Sequence, residues 1–412
     1  MSRSIIGKEY QFPIVDEITK KSLQVVDKGK VILIVGEPGS GKSVLMEQLY
    51  GNLKAQEYIV AIKAEFLSDD ISPKEVYKQF LGIKKKNSIK ILILDSLDVL
   101  AYSRRSELQK WLYYIDLMKS IKGMTILCAA RTFEAEHLYP MNRHDWSDKI
   151  VVPPLSDEFI TNIFDELNFD SSSLSEELQK KLSTKPLLLK LTTDILRQGG
   201  DLRSIFGEHA LYQKLFDTLD FTQEELDILT LIAEKMVVNR TIYLPFDILS
   251  TEIRQKIKDM EKSEIFAVMD IDEESNRYTF VHQTLIDYLI ARACIKEEES
   301  LFNFLERNGQ SLFVRPVIRH IISSLRGIPS RLFKELSELF VLENSKNTRM
   351  HIKTSILNIM AFWPDPTKEE ADFPYPLFFV VFLCLIYQTA NISFYSPPFS
   401  LLSGLKCPIL LE

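Results

Sequence analysis

Up to about residue 155 the chain alternates short apolar runs with amphipathic stretches, the pattern of a parallel sheet wrapped by helices. VILIV (31–35) is the first clear strand, followed by a glycine-rich loop and a helix through about Leu53. EYIVAIKAEFL (57–67) predicts a second strand and SPKEVYKQFLGI (72–83) the helix after it. IKILILD (89–95) is a third strand, and its unbroken hydrophobicity implies burial on both faces. RSELQKWLYYIDLMKSI (105–121) repeats apolar residues at helical spacing. MTILCAA (124–130) and DKIVVPP (148–154) complete a set of five strands.

The texture then changes. Ser156 followed by Asp157 and Glu158 reads as a helix start, a capping hydroxyl with acids at the positive end of the dipole. From there to about Gly199 only helices are expected, KPLLLKLTTDIL (185–196) among them. Between about His209 and Lys296 come helices and then two strand-like runs, IFAVMDI and RYTFVHQ, joined by the polar DEESN. Three helices and a hairpin make the order of a winged-helix domain. Beyond Glu297 the periodicity is helical to about Phe362, with no convincing fixed-period repeat. The expected division is therefore 1–154, 155–208, 209–296, 297–372 and a tail, 373–412.

That tail alters the compositional picture. The chain of 412 residues has 46% apolar and 26% charged residues, a globular composition. After Asp372, however, the only charged residues are Lys406 and Glu412. The apolar run from Leu377 to Tyr387 falls short of a bilayer span, which takes about 20 residues. A buried helix, or a tail altered relative to a longer parent, is expected rather than a membrane anchor. The net charge of −7 gives no global attraction to nucleic acid. Cys128, Cys294, Cys384 and Cys407 are far apart and form no CxxC pair, which fits a reducing, cytoplasmic setting. The N-terminal MSRSIIGKEYQFPIVDE lacks the apolar core of a signal peptide.

Candidate chemistry sits at the ends of the strands. Gly36, Glu37, Pro38, Gly39, Ser40, Gly41, Lys42 and Ser43 match GxxxxGK[ST] in full, after a strand and at the opening of a helix that continues with Val44. Glycines let backbone N–H groups turn inward around phosphate oxygens, and the helix N-terminus adds partial positive charge. Lys42 would reach the β- and γ-phosphates of ATP or ADP, and the Ser43 hydroxyl would hold Mg²⁺. In ILILDSLD, Asp95 ends a buried strand, where its carboxylate can bind a Mg²⁺-coordinating water. Asp98 could orient the attacking water, contact the metal or simply cap a helix. Arg131 directly follows the MTILCAA strand, so its planar donor fork would emerge on the phosphate edge as a γ-phosphate sensor.

Other clusters carry less. His137 and His144 are loosely spaced without cysteine partners, so a zinc site is not expected. Lys84, Lys85 and Lys86 read as a solvated helix end. Arg315, Arg319, His320 and Arg326 could form a basic helix face, for which solvent exposure is the default.

Taken together, the phosphate loop, LDSLD, the strand-end arginine, KPLLL, the wing and FVHQTLIDYLIA resemble the STAND-class P-loop NTPases, NACHT-like in particular, over about residues 5 to 300. The resemblance implies an α/β P-loop NTPase with helices on both sheet faces, then a helical lid, a winged-helix domain and a short all-α region. It implies that Pro186 packs near the adenine and ribose and that His282 contacts the β-phosphate of ADP. Read from the residues alone, His282 merely starts an amphipathic helix. One departure matters: Ser96-Leu97-Asp98 is followed by Val99, where the family carries an acid, so the motif does not set the rate of ATP hydrolysis, which the switch reading expects to be slow.

Three functions compete. The first is a signalling switch in which ADP holds the closed form and ATP opens and oligomerises it, with effector or sensor partners on other chains and a role in defence or stress that only the resemblance implies. The second is an AAA+ ATPase acting on nucleic acid, as origin-recognition initiators do. The lid offers a proline where that reading wants an arginine, and the DIDEESNR wing is acidic, so nucleic acid is not the expected partner. The third is a nucleotide-dependent scaffold without turnover.

Overall fold

The computed structural model describes residues 4–5, 8–24, 28–56, 58–64, 71–83, 88–103, 105–202, 205, 208–239, 241–260, 266–270, 276–280, 283–311, 314–341, 343–361, 363 and 366–373. The 374–412 tail, His282, the 271–275 turn and Lys84–Lys86 lie outside them. By internal packing the chain divides into Met1–Glu335 and Leu336–Glu412.

The first unit opens with a short antiparallel pair, β1 (Ser4–Ile5) and β2 (Lys8–Glu9), and a helix, α1 (Ile14–Ser22). The main sheet follows in chain order: β3 (Lys30–Gly36), α2 (Lys42–Leu53), β4 (Tyr58–Lys63), α3 (Pro73–Leu81), β5 (Lys90–Asp95), α4 (Leu100–Ser103), α5 (Arg105–Lys119), β6 (Met124–Arg131), α6 (Thr132–His137) and β7 (Asp148–Val151). The five strands lie parallel in the order β4-β5-β6-β3-β7.

Burial on both faces explains the continuous hydrophobicity of the central strands, because alternate side chains serve opposite cores. Val31, Leu33, Val35, Leu92, Leu94, Ile126 and Cys128 point into one core with Phe80 and Trp111, from α3 and α5. Ile32, Ile34, Ile91, Ile93, Leu127 and Ala129 point into the other with Ile18, Leu45, Met46 and Phe12, from α1, α2 and the segment before α1.

Strand order also fixes the functional edge. The chain leaves β3 toward the far edge, returns through β4 and β5 to β6, then crosses to β7 on the other side of β3. The C-terminal ends of β3 and β6 therefore flank a switch point, where open parallel sheets bind ligands. Gly36 pairs in register with Arg131, and Asp95 ends the next strand, paired with Lys63.

Beyond the sheet come α7 (Asp157–Glu166), α8 (Glu176–Thr184), α9 (Pro186–Arg197), α10 (Glu208–Thr218) and α11 (Gln223–Asn239). The predicted cap is present: Phe159 N–H donates to Ser156 Oγ at 3.3 Å. A strand missing from the sequence reading, β8 (Tyr243–Pro245), precedes α12 (Thr251–Met260), β9 (Phe266–Asp270) and β10 (Asn276–Phe280). These strands pair antiparallel in the order β8-β10-β9. Of the run RYTFVHQ, residues 277–280 belong to β10 and Gln283 opens α13 (Gln283–Lys296). α14 (Leu301–Arg307) and α15 (Arg315–Leu325) follow, and α16 (Pro329–Phe340) crosses the division. In the second unit the described elements include α17 (Met350–Ala361) and α18 (Lys368–Asp372), the latter opened by a capping box between Thr367 and Glu370. No helix among the described residues is long and apolar enough to cross a membrane.

Candidate functional site

The loop between β3 and α2 is held by backbone conformations that favour glycine. Gly39 and Gly41 have φ of 81° and 88°, a region costly for side chains. A Cβ on Gly41 would also stand 2.8 Å from Phe12 Cζ, and one on Gly36 would run into Ser40 Oγ. The hydroxyl of Ser40 is buried inside the loop with no hydrogen-bond partner. α2 starts on Gly41 without a side-chain cap and without an acid in its first turn, leaving its N-terminal amides to an anion. Lys42 Nζ donates to the carbonyls of Gly36 and Glu37 at 2.8 and 2.9 Å. Burial lowers its pKa to about 8 against the pull of Asp98 and Asp95. An unpartnered hydroxyl, a half-buried ammonium and an uncapped helix end fit a phosphate chain.

The edge of the sheet adds the acids and the arginine. Asp95 is buried at the end of β5, with Ser96 Oγ 3.5 Å from Oδ1. Ser96 takes a left-handed φ of 61°, which turns the chain so that Leu97 and Asp98 both bury. Arg131 N–H donates to Asp98 Oδ1 at 3.3 Å, and its Nε stands 3.4 Å from Oδ2. That second approach is an ion pair without hydrogen-bond alignment, since Oδ2 has no hydrogen-bond partner. Burial pushes the Asp98 carboxyl up to about 6, with Arg131 and Lys42 opposing and Glu134 adding. Among the described residues no group of three or more His, Cys, Asp or Glu could hold a metal. Ser43, at the start of α2, and Asp95, at the end of β5, are side chains that could hold a Mg²⁺ ion beside a nucleotide's own oxygens, in keeping with its preference for phosphates and water.

Pro186, expected beside the nucleotide, packs on the loop. Its Cγ lies 3.6 Å from the position a Gly41 Cβ would occupy. Leu187 covers Gly39, its Cβ 3.3 Å from the position of a Gly39 Cβ, and its N–H reaches Gly39 O at 3.4 Å. Phe12 carried no motif, and Leu187 lay within KPLLL without a role of its own.

The basic face of α15 requires a correction. His320 is buried rather than solvated. Burial drops its pKa to about 3, with Glu208 pulling the other way, so it carries no charge near neutrality. Arg315 stacks on Phe133, its Cζ 3.0 Å from the ring centroid, and pairs with Glu134 at 3.2 Å. Arg319 Nη2 is 3.7 Å from Glu37 Oε2.

α13 also reaches the edge, through a residue the sequence did not mark. Arg131 Nη2 donates to Gln283 Oε1. Around this contact Lys185 and Glu208 form a buried pair at 2.6 Å, and Asp287 is buried on α13. Thus Lys42, Asp95, Asp98, Arg131 and Pro186 converge on one edge, while His282 lies outside the described residues.

Residues 14–140 match the family model described as Novel STAND NTPase 3. Over that segment, which includes the phosphate loop, the chain is similar to STAND-class P-loop NTPases. No curated protein matches the chain. Among solved structures, the Orc1 protein of Aeropyrum pernix in complex with DNA is similar at 12% identity, over 69% of this chain and 93% of that one, with a TM-score of 0.30. Cdc6p from Pyrobaculum aerophilum is similar at 14% identity, over 72% and 99%, with a TM-score of 0.27. The replication initiator DnaA bound to AMPPCP and single-stranded DNA is similar at 14% identity, over 82% and 96%, with a TM-score of 0.35. The P-loop NTPase reading of residues 14–140 rests on the family match and on the loop geometry.

Proposed function

We propose that this P-loop NTPase is a nucleotide-controlled switch, closed with ADP and opened toward self-association by ATP, with slow hydrolysis resetting it. The observation that carries this reading is the placement of Arg131. Its guanidinium, at the edge where a γ-phosphate would arrive, is engaged by Asp98 of its own domain and by Gln283 of α13. A γ-phosphate drawing Arg131 away would release α13, and an element biased by that one contact is what a two-state switch needs.

The roles follow from position. Lys42 and the loop amides would bind the phosphates, Ser43 and Asp95 would hold Mg²⁺, and Pro186 would border the nucleoside. Asp98 would steer Arg131 rather than activate water, because the two already face each other. The metal, when bound, would offset charge between the β- and γ-phosphates. Residues 155–208 would act as the lid, and 209–296 as a winged-helix-type module ending in α13. The antiparallel sheet of β8, β10 and β9 beside α11 and α12 supports that assignment. His282, immediately before Gln283, would contact the β-phosphate of ADP.

The test is to purify the full chain, identify the nucleotide it retains, and measure its mass in solution with ADP and with ATPγS and Mg²⁺. Retained ADP with a larger particle in ATPγS is the expected result. His282→Ala should lose ADP and assemble more readily. Rapid turnover stimulated by DNA, with no change of mass, would replace the switch by a nucleic-acid-acting ATPase.

A further inference from the structure

Two arginines of α15, one helical turn apart, face the phosphate edge. Arg315 is anchored: its guanidinium lies over Phe133 and pairs with Glu134, two and three residues beyond Arg131. That anchor fixes the helix, since residues four apart share a helix face. Arg319 is thereby carried to the loop itself, with Nη2 3.7 Å from Glu37 Oε2. The carbonyl of the same Glu37 accepts the hydrogen bond from Lys42 Nζ at 2.9 Å. Arg319 and the phosphate-binding lysine therefore approach opposite ends of one residue.

We propose that Arg319 is a second phosphate-contacting residue, delivered in cis by α15, which exchanges Glu37 for the γ-phosphate of a bound nucleoside triphosphate. The proposal rests on the nucleotide-switch reading and adds to it a residue from outside the NTPase domain.

Three features favour exchange over a fixed structural pair. The Arg319–Glu37 pair is loose, and the side chains are 45% and 49% exposed, the kind of ion pair that contributes little. The stem of Arg319 is placed by the anchored turn below it, so the guanidinium can change partner without moving the helix. Glu37, on the loop itself, would repel a triphosphate unless a cation stood between. An arginine fork suits a phosphoryl oxygen better than a lysine does. ADP lacks the group Arg319 would take, so the contact discriminates between the two nucleotides.

The experiment titrates nucleotide-stripped full chain with mant-ADP and with mant-ATPγS in the presence of Mg²⁺, for the natural chain, Arg319→Gln, Arg319→Lys and Glu37→Gln. Arg319→Gln should weaken mant-ATPγS about tenfold, the loss of a charge-assisted bond, while mant-ADP stays within about twofold. Arg319→Lys should fall between, and Glu37→Gln should tighten mant-ATPγS. A thermal melt of each variant checks folding, and Arg319→Lys, which keeps the charge, gives the reading if Arg319→Gln unfolds. Equal losses for both nucleotides, or none for either, would overturn the assignment of Arg319. If the natural chain bound neither nucleotide, the switch reading itself would fail. If it bound both and the variants matched it, only the role of Arg319 would.

Discussion

The phosphate loop and the face that α13 and α15 turn toward it are built in opposite ways. The loop is local: strand, glycines, lysine and helix start lie between Lys30 and Leu53, and each backbone demand is met by a residue a few positions away. The facing surface is assembled across the chain, as in the bonds from Arg131 to Gln283 and from Arg315 to Glu134, 152 and 181 residues apart. A local site can bind a nucleotide alone. A site closed by distant residues can also report what it has bound, because the partners it must give up belong to elements that can move.

Several perturbations would break or sharpen that contrast. The largest effect is expected at the buried Lys185–Glu208 pair, which ties the start of α9 to α10. Lys185→Met leaves Glu208 buried without its cation and should cost about 3 kcal/mol in denaturant unfolding. Burial by itself would raise the Glu208 carboxyl, but Lys185, His320 and Arg319 hold it at about 2. Its contribution is therefore present above the ordinary carboxylate range and lost as pH falls toward about 2. Next comes Lys42→Ala, which should weaken ADP and ATPγS alike by about a hundredfold in calorimetry, with the folded state intact. A loss confined to ATPγS would mean that the loop is not the common phosphate anchor.

Asp287 gives a pH signature to the facing surface. Burial pushes its carboxyl up to about 7, with Arg131 and Arg319 opposing and Glu208 adding. The folded state thus keeps a proton that the unfolded chain releases at lower pH. Its contribution to stability is complete below the ordinary aspartate range and lost as pH rises through about 7. Asp287→Asn should flatten this dependence and stabilise the protein at alkaline pH by on the order of 2 kcal/mol, read from melts across pH. The smallest effect belongs to Gln283→Ala. Removing one partner of Arg131 should cost about 1 kcal/mol of stability or less and shift the ATPγS-to-ADP affinity ratio about threefold toward ATPγS. A shift toward ADP would show that Gln283 helps Arg131 rather than withholding it.

What could be read from the sequence follows the same division. The five-stranded sheet was legible because VILIV, ILIL (91–94) and ILCAA (126–130) are buried on both faces and have no polar positions to confuse the period. The loop was legible because its glycines, lysine and serine are contiguous. β8 escaped because three residues ending in Pro245 are too short to show alternation. The passage from RYTFVHQ to a helix was legible because an amphipathic run begins at its end, and α13 starts at Gln283. Arg319 is exposed, as a solvated face expects, but Arg315 and His320 were misread for a more basic reason. Their partners Phe133, Glu134 and Glu208 lie far away in sequence, where helical spacing carries no information about them.

The central claim is that the γ-phosphate loosens the contact between the NTPase edge and α13. It can be measured as a distance between spin labels at the exposed positions Asn52 and Lys296, placed by Asn52→Cys and Lys296→Cys after Cys384→Ser and Cys407→Ser. A single short distance in ADP, giving way to a longer population in ATPγS and Mg²⁺, is the predicted result. The same short distance in both nucleotides, with both demonstrably bound, would contradict the account.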